Sequence, residues 1–429
     1  MVSRLLILAL ACLWLIRGAR TSALVLPSLP IGPAMLAFLG LAAVSTIWSP
    51  YGNQSRQWLI VLLSYGLLLY LLVALIQQWE QVFKLLMVLI GMGLFEAGWA
   101  VVQWMMERAL RPSATFFNPN FLAGYLAMIW VILLAFVSYL RGGSRNRMGA
   151  NRRRSFWLIG SIVPLAILLG AMVISGSRGG MLAALVGTTV VIGLRFGRKG
   201  VGLMAVLVLV GLAAPSPLRD RVLAEHAVNP VTYARVQIWQ SSVRAMADHP
   251  FGMGIGLYQY VYPSYALPVE GEITRYGKVA QTAHSEYLQM GVELGAVGLL
   301  VFCWGVVLVV REARSVLQER LTRWQRGGLV GLVAAIAATL VHAALDSNLH
   351  EPALAILLTL CVGIVMSARR ISQRRREPLC TVPLRSPTIW AGIGVLLIGV
   401  LAVPVVQMGL AWTFFETGSQ ALAKQDLAK

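Results

Sequence analysis

The sequence predicts an all-α polytopic membrane protein with 11–12 transmembrane helices and one large outward helical loop, placed between the spans ending near 214 and starting near 291. The 429 residues are 58% apolar and only 12% charged, whereas a soluble domain carries about 25% charged residues. Apolar runs near the ~20 residues that cross about 30 Å of hydrocarbon recur along the chain. The basic residues gather in alternate connectors between those runs.

The first run, 5–16, is short and follows Arg4. It resembles a signal-peptide core, yet no good cleavage site follows, and Arg17 and Arg20 suit the inner end of a span; it is read as an uncleaved helix. Runs at 31–48, 57–76, 82–106, 119–140 and 156–174 come next, then two shorter ones at 180–194 and 200–214. A 76-residue segment, 215–290, intervenes before the runs 291–310, 327–345, 353–368 and 388–408. The chain therefore divides into N-terminal spans (1–214), an outward loop with an amphipathic helix (215–290), C-terminal spans (291–410) and an outward tail (411–429).

A formal charge of +19 is compatible with a nucleic-acid partner until its distribution is examined. The connectors 141–155, 195–199, 311–326 and 369–385 hold 20 of the 36 basic residues and three acids, Glu312, Glu319 and Glu377. That asymmetry places them on the cytoplasmic side. The 215–290 loop carries six basic and six acidic residues and is neutral. Charge here records orientation in a membrane, so no nucleic acid is implied. Cys12, Cys303, Cys361 and Cys380 form no CxxC pair, which implies neither a disulfide framework nor a zinc site.

The outward loop has its own helical pattern. Asn229-Pro230 reads as an N-cap with Pro at the first helical position. Val236, Trp239, Val243 and Met246 then recur at helical spacing until His249-Pro250 ends the pattern, so a helix with this apolar stripe is expected on the outer membrane boundary. Arg235 and Arg244 are nine residues apart, about 180° around that helix, so only one can face a given site. Gly252-Met253-Gly254-Ile255-Gly256 lacks the preceding strand and following Lys of a nucleotide loop, and reads as a tight turn beside a cavity. Tyr258, Tyr260, Tyr262 and Tyr265 suit an interface belt or stacking on sugar rings.

His284, at the outer end of AHSEYLQMGVELGAVGLL, is an available general base near neutral pH; the plainer alternative is a helix-end histidine bonded to a carbonyl. Glu286 and Glu293 lie about 200° and 180° away at helical spacing, so any partner for His284 must come from another segment. Arg178, in SGSRGG between two spans, either snorkels to the interface or binds an anion, and small neighbours leave room for a diphosphate on its planar fork. Asn118 and Asn120, in RPSATFFNPN, read as helix-capping residues that also stand to line a cavity, as does Glu293. Asp346, Asn348, His350 and Glu351 either line the same cavity or are solvated. A metal site finds little support, the acidic pair at ligand spacing being Glu270/Glu272 on the loop.

SGSRGG, the helix from Arg235 to Trp239, HPFGMGIG and HSEYLQMGVELGAVGLL, in that order around one large loop, resemble the O-antigen ligase and Wzy-type polymerase superfamily. RPSATFFNPNFLAGYL is also similar to that family's segment before its central spans, and the resemblance covers roughly residues 30–370. It implies a glycosyltransferase of the bacterial inner membrane, working without metal or other cofactor, with its active site facing the periplasm. The implied donor is an undecaprenyl diphosphate-linked glycan; the acceptor is lipid A-core for a ligase, or another repeat unit for a polymerase. Carried over, it implies His284 as the catalytic base and Arg178, Arg235 and Arg275 as donor diphosphate-binding residues. The tail after Trp412 is shorter than the helical repeats of some relatives, which leaves ligase and polymerase both open. The alternative of another class is a secondary transporter, but buried mid-span ionisable residues are few, Glu96 being the clearest.

Overall fold

The computed structural model describes residues 2–106, 110–140, 150–213, 230–266, 280–372, 380–383 and 386–426. Helices account for nearly all of it, and nine of them are long and apolar enough to cross a membrane among the described residues, with two shorter apolar helices beside them. The N-terminal part contributes α1 (Val2–Arg20), α2 (Gly32–Ser45), α3 (Gly52–Leu75), α4 (Trp79–Met106), α5 (Pro119–Leu140), α6 (Ala150–Ser175) and α7 (Arg178–Ala213). The loop forms α8 (Pro230–Asp248) and α9 (Tyr258–Tyr265). Then follow α10 (Glu286–Leu317), α11 (Arg323–Ala343), α12 (Pro352–Ser372) and α13 (Pro387–Asp426). At Gly197 a φ of 66° breaks α7 within the basic connector, which yields the two short helices expected from the runs at 180–194 and 200–214.

The core is the bundle of α5, α7 and α11. Lipid tails are as apolar as leucine, so helices in a membrane gain little from burying apolar surface and associate through close packing at small residues. Gly327 and Gly331 of α11 lie one turn apart, and a Cβ at Gly331 would stand 2.7 Å from the Ile132 Cα of α5. A Cβ at Gly187 of α7 would likewise stand 3.1 Å from the Ala334 carbonyl oxygen of α11. Around this core, α2, α3, α10 and α12 enclose an apolar cavity of about 260 Å³ lined by Met35, Phe38, Leu62, Gly66 and Val306 among others. Exposed leucines, valines and phenylalanines on the outer helices suit a lipid-facing surface.

One end of the bundle gathers the described parts of the basic connectors. There Arg369 pairs with Glu312, Arg195 lies over the Tyr139 ring at 4.4 Å, and an antiparallel pair, β1 (Ala23–Leu26) and β2 (Cys380–Pro383), sets Leu26 opposite Cys380. This pair joins the inner ends of α1 and α13, which pack on each other. Helix α13 runs unbroken to Asp426, so the span and the expected tail after 410 are one continuous helix.

At the other end, α10 begins at Glu286, five residues before the apolar run, and is interrupted at Gly295 (φ 68°). The glycine turn fills the interruption: Met253 N donates to Val292 O at 3.0 Å, Gly254 N to Glu293 O at 2.9 Å, and Ala296 N to Pro250 O at 3.2 Å. Backbone groups freed by the break are thus satisfied by a second segment, as a low-dielectric setting requires.

Candidate active site

Five segments bring polar side chains to the outer end of the α5–α7–α11 core. Asp346 stands at their centre, in the turn that leaves α11, where its N–H continues the last helical turn onto His342 O. Its carboxylate is buried, and each oxygen has two partners. Oδ1 accepts from Ser347 N at 2.9 Å and faces His284 Nδ1 at 3.1 Å; Oδ2 accepts from Asn120 Nδ2 at 2.8 Å and lies 3.6 Å from Arg235 Nη2. Burial alone would raise the Asp346 pKa. The hydrogen bond and charge of His284, the charge of Arg235 and the Ser347 N–H outweigh it and lower the pKa to about 2.

His284 adopts φ 48°, a left-handed conformation that a residue with a Cβ seldom takes. Its neighbour is clamped on both sides: Ala283 N donates to Gln289 Oε1 at 3.2 Å and Trp239 Nε1 donates to Ala283 O at 3.1 Å. With Nδ1 turned to a carboxylate, the neutral ring carries its proton there and presents Nε2 as a base. The His284 side chain is 35% exposed, so it is open to a reactant.

Arg178 is the first residue of α7 and is exposed. The motif around it is a helix start: Gly176 turns at φ 66°, and Ser177 Oγ accepts the Gly180 N–H at 3.3 Å as an N-cap. The next two glycines allow α7 to approach its neighbours. A Cβ on Gly179 would stand 3.0 Å from His342 Nε2, and one on Gly180 3.1 Å from the Ala123 carbonyl carbon. Arg235 reaches Asp346 from α8, while Arg244, half a turn around, is exposed. Arg275 lies outside the described residues.

Arg111 joins the site without having been singled out from sequence. Its Nε donates to Ser175 O at 2.9 Å, beside the SGSRGG turn, and its Nη2 to Asn120 Oδ1 at 2.9 Å. Burial first, and then the nearby charges of Arg235 and Arg178, push its guanidinium below the ordinary arginine value, with Asp346 acting in the opposite sense. Arg178 and Arg235 are thus close enough for their charges to act on Arg111, and of the three Arg235 pairs with Asp346, which concentrates positive charge at this end of the bundle. The loop carrying Arg111 is fastened from α4: Glu96 accepts from Thr115 Oγ1 at 2.7 Å and Thr115 N at 3.2 Å, and Gln103 Oε1 accepts from Ala114 N at 2.8 Å. Glu96, the clearest intramembrane acid, thus holds that loop.

The two asparagines differ. Asn118 caps α5, its Oδ1 accepting from Asn120 N at 2.9 Å. Asn120 is no cap; its carboxamide links Arg111 to Asp346. Glu293 is buried on the opposite flank of α10, where it accepts from Gly256 N at 2.8 Å and Tyr258 N at 3.3 Å and lines a separate cavity of about 180 Å³ with Trp58, Gln289 and His350. Of the outward turn, only Asp346 meets His284: Asn348 is fully buried and His350 turns to Glu286, Nδ1 to Oε2 at 3.2 Å.

The expected stripe on α8 is corrected. Val236 and Val243 are exposed, and the helix buries Ile238, Ser241, Ser242 and Ala245, with Ser242 Oγ 2.8 Å from the buried Tyr258 hydroxyl. Small side chains let α8 pack closely on α9 and α10, with Trp239 and Met246 of the expected stripe packed against the same buried cluster and only Val236 and Val243 facing outward. Tyr260 stacks on Tyr51 with ring centroids 4.8 Å apart.

The model of a protein family described as O-antigen ligase matches residues 163–303, a segment that contains Arg178, Arg235, His284 and Glu293. No curated protein matches the chain. Among solved structures, a chain from work described as "Structural coordination of polymerization and crosslinking by a peptidoglycan synthase complex" is similar over 81% of this chain and 98% of that one, at 19% identity and a TM-score of 0.46.

Proposed function

We propose that this chain, a member of the O-antigen ligase superfamily through residues 163–303, moves a glycan from an undecaprenyl diphosphate carrier to an acceptor hydroxyl at the periplasmic face of the bacterial inner membrane. The observation that supports this most is the His284–Asp346 contact of 3.1 Å set beside Arg111, Arg178 and Arg235. His284 Nε2 takes the proton of the acceptor hydroxyl, and Asp346 fixes the ring and stabilises the imidazolium that results. The acceptor oxygen bonds to the anomeric carbon of the donor sugar as the bond from that carbon to the diphosphate oxygen breaks. The departing diphosphate keeps the electron pair, and the guanidinium groups meet the charge that develops on it. The acceptor is lipid A-core in the ligase reading and a growing repeat unit in the polymerase reading.

Reconstituted protein supplied with undecaprenyl diphosphate-linked glycan is expected to transfer it to lipid A-core or to a second repeat unit, and the product formed tells the two readings apart. His284→Ala and Arg178→Ala are expected to lose transfer. Full activity in both variants would remove the site assignment, and uptake of a small solute in place of transfer would favour a transporter.

A further inference from the structure

Gln289 sits five residues after His284, on the first turns of α10, and is 3% exposed. Its carboxamide oxygen accepts from Ala283 N at 3.2 Å and Ser347 Oγ at 3.4 Å. Its nitrogen donates to Glu293 Oε1 at 3.2 Å and meets His350 Nε2 at 2.7 Å. A backbone N–H only donates, so the Ala283 contact fixes which end of the amide is oxygen. His350 Nε2 then accepts, and its ring proton lies on Nδ1, toward Glu286. Ala283 is the residue before His284 and Ser347 the residue after Asp346. One buried side chain therefore ties together, through a backbone N–H on one side and a serine hydroxyl on the other, the two segments that carry the dyad, whose members are 62 residues apart in sequence.

We propose that Gln289 is a positioning residue: it sets the register between His284 and Asp346 and so aims the free imidazole nitrogen. The proposal rests on the glycan-transfer reading above. His284 occupies a left-handed conformation that persists only where surrounding contacts over-determine it. The second anchor of that bracing, Trp239 Nε1 on Ala283 O at 3.1 Å, comes from α8, the helix that also carries Arg235. Gln289 adds the link to the 346–350 turn, where Glu286 also accepts from Leu349 N at 2.5 Å. A misplacement of about 1 Å at a reacting group costs on the order of 10²-fold in rate, so a side chain that holds both partners acts on turnover without touching substrate.

The test compares Gln289→Met, which keeps the volume and removes the hydrogen bonds, with Gln289→Glu, which keeps the oxygen that accepts from Ala283 N and Ser347 Oγ. Turnover and the binding of undecaprenyl diphosphate are measured on the reconstituted protein, and modification of His284 by diethyl pyrocarbonate is followed by mass spectrometry. The expected result for Gln289→Met is a fall in kcat of about 10- to 100-fold, carrier binding unchanged, a changed His284 modification rate, and recovery of most of the loss in Gln289→Glu. Wild-type turnover in Gln289→Met, a parallel loss of turnover and binding, or no recovery in Gln289→Glu would overturn it. If Gln289→Met does not fold, Ser347→Ala, which removes one contact of 3.4 Å, is expected to lower kcat with binding intact, and unaltered kcat overturns the proposal. Should the wild type transfer no glycan, the functional reading fails by itself, while the His284 modification rates still decide the positioning role: equal rates in wild type and Gln289→Met overturn it.

Discussion

His284 Nδ1 lies 3.1 Å from Asp346 Oδ1, across 62 residues of sequence, from the segment just before α10 to the turn that leaves α11. In the proposed reaction this contact orients His284 as the base. His284→Ala is expected to lower kcat by about 10²–10⁴-fold, the usual worth of a general base. Asp346→Asn keeps the shape of the site and removes its charge, and is expected to lower kcat at least about 10²-fold with little change in acceptor KM. Steady-state kinetics on the two purified variants check both outcomes.

The arginine cluster makes a different prediction. Arg111 bonds Ser175 O and Asn120 Oδ1, each at 2.9 Å, next to Arg178 and Arg235. Loss of a charge-assisted hydrogen bond costs about 1.5–3 kcal/mol, so Arg111→Ala is expected to raise the donor KM roughly 10- to 100-fold. Arg111→Lys is expected to restore only part of it, because a point charge cannot reproduce the planar fork. Donor titration of the reconstituted variants measures this, and equal KM values for Arg111→Ala and wild type would refute the role.

Acid stability follows from Asp346, whose folded pKa of about 2 lies below the ordinary 3.8. A depressed carboxylate stabilises the fold above its unfolded pKa, and that stabilisation is lost as pH falls from about 4 to about 2. Its size is roughly 2–3 kcal/mol at neutral pH. Thermal melts of detergent-solubilised protein are expected to show a drop over that window that Asp346→Asn largely removes.

Gly256 has φ 75°, and a Cβ there would run into the Trp58 ring. Gly256→Ala is therefore expected to destabilise the protein by about 1–3 kcal/mol and to lower its melting temperature. Gly91→Ala, with nothing within 4 Å of the new methyl, is expected to leave the melting temperature unchanged or higher.

Much of this fold was legible in the sequence because hydrocarbon imposes a length on every span and charge asymmetry imposes a direction. The pair of short runs around 195–199 even located the break at Gly197. His284 and the need for a partner outside its own helix were also legible from helical spacing. Asp346 as that partner, and Arg111 beside it, were not, since both depend on which loops meet at one end of the bundle. Asn120 reads as a cap beside Asn118-Pro119, and only the packing of α5 on α11 turns it toward Asp346. The α8 stripe divides for a related reason: Trp239 and Met246 pack inward while Val236 and Val243 are exposed, because periodicity finds an apolar face but cannot say which part of it protein covers. The start of α10 was placed late because its first turn is polar and points into the protein.

The central claim is that His284, oriented by Asp346, activates an acceptor hydroxyl against a diphosphate-linked glycan. The most direct measurement is single-turnover glycan transfer by reconstituted wild type and Asp346→Asn, each preloaded with the carrier-linked donor. The account predicts equal donor binding and a transfer step slowed at least about 10²-fold in the variant; equal transfer rates would contradict it.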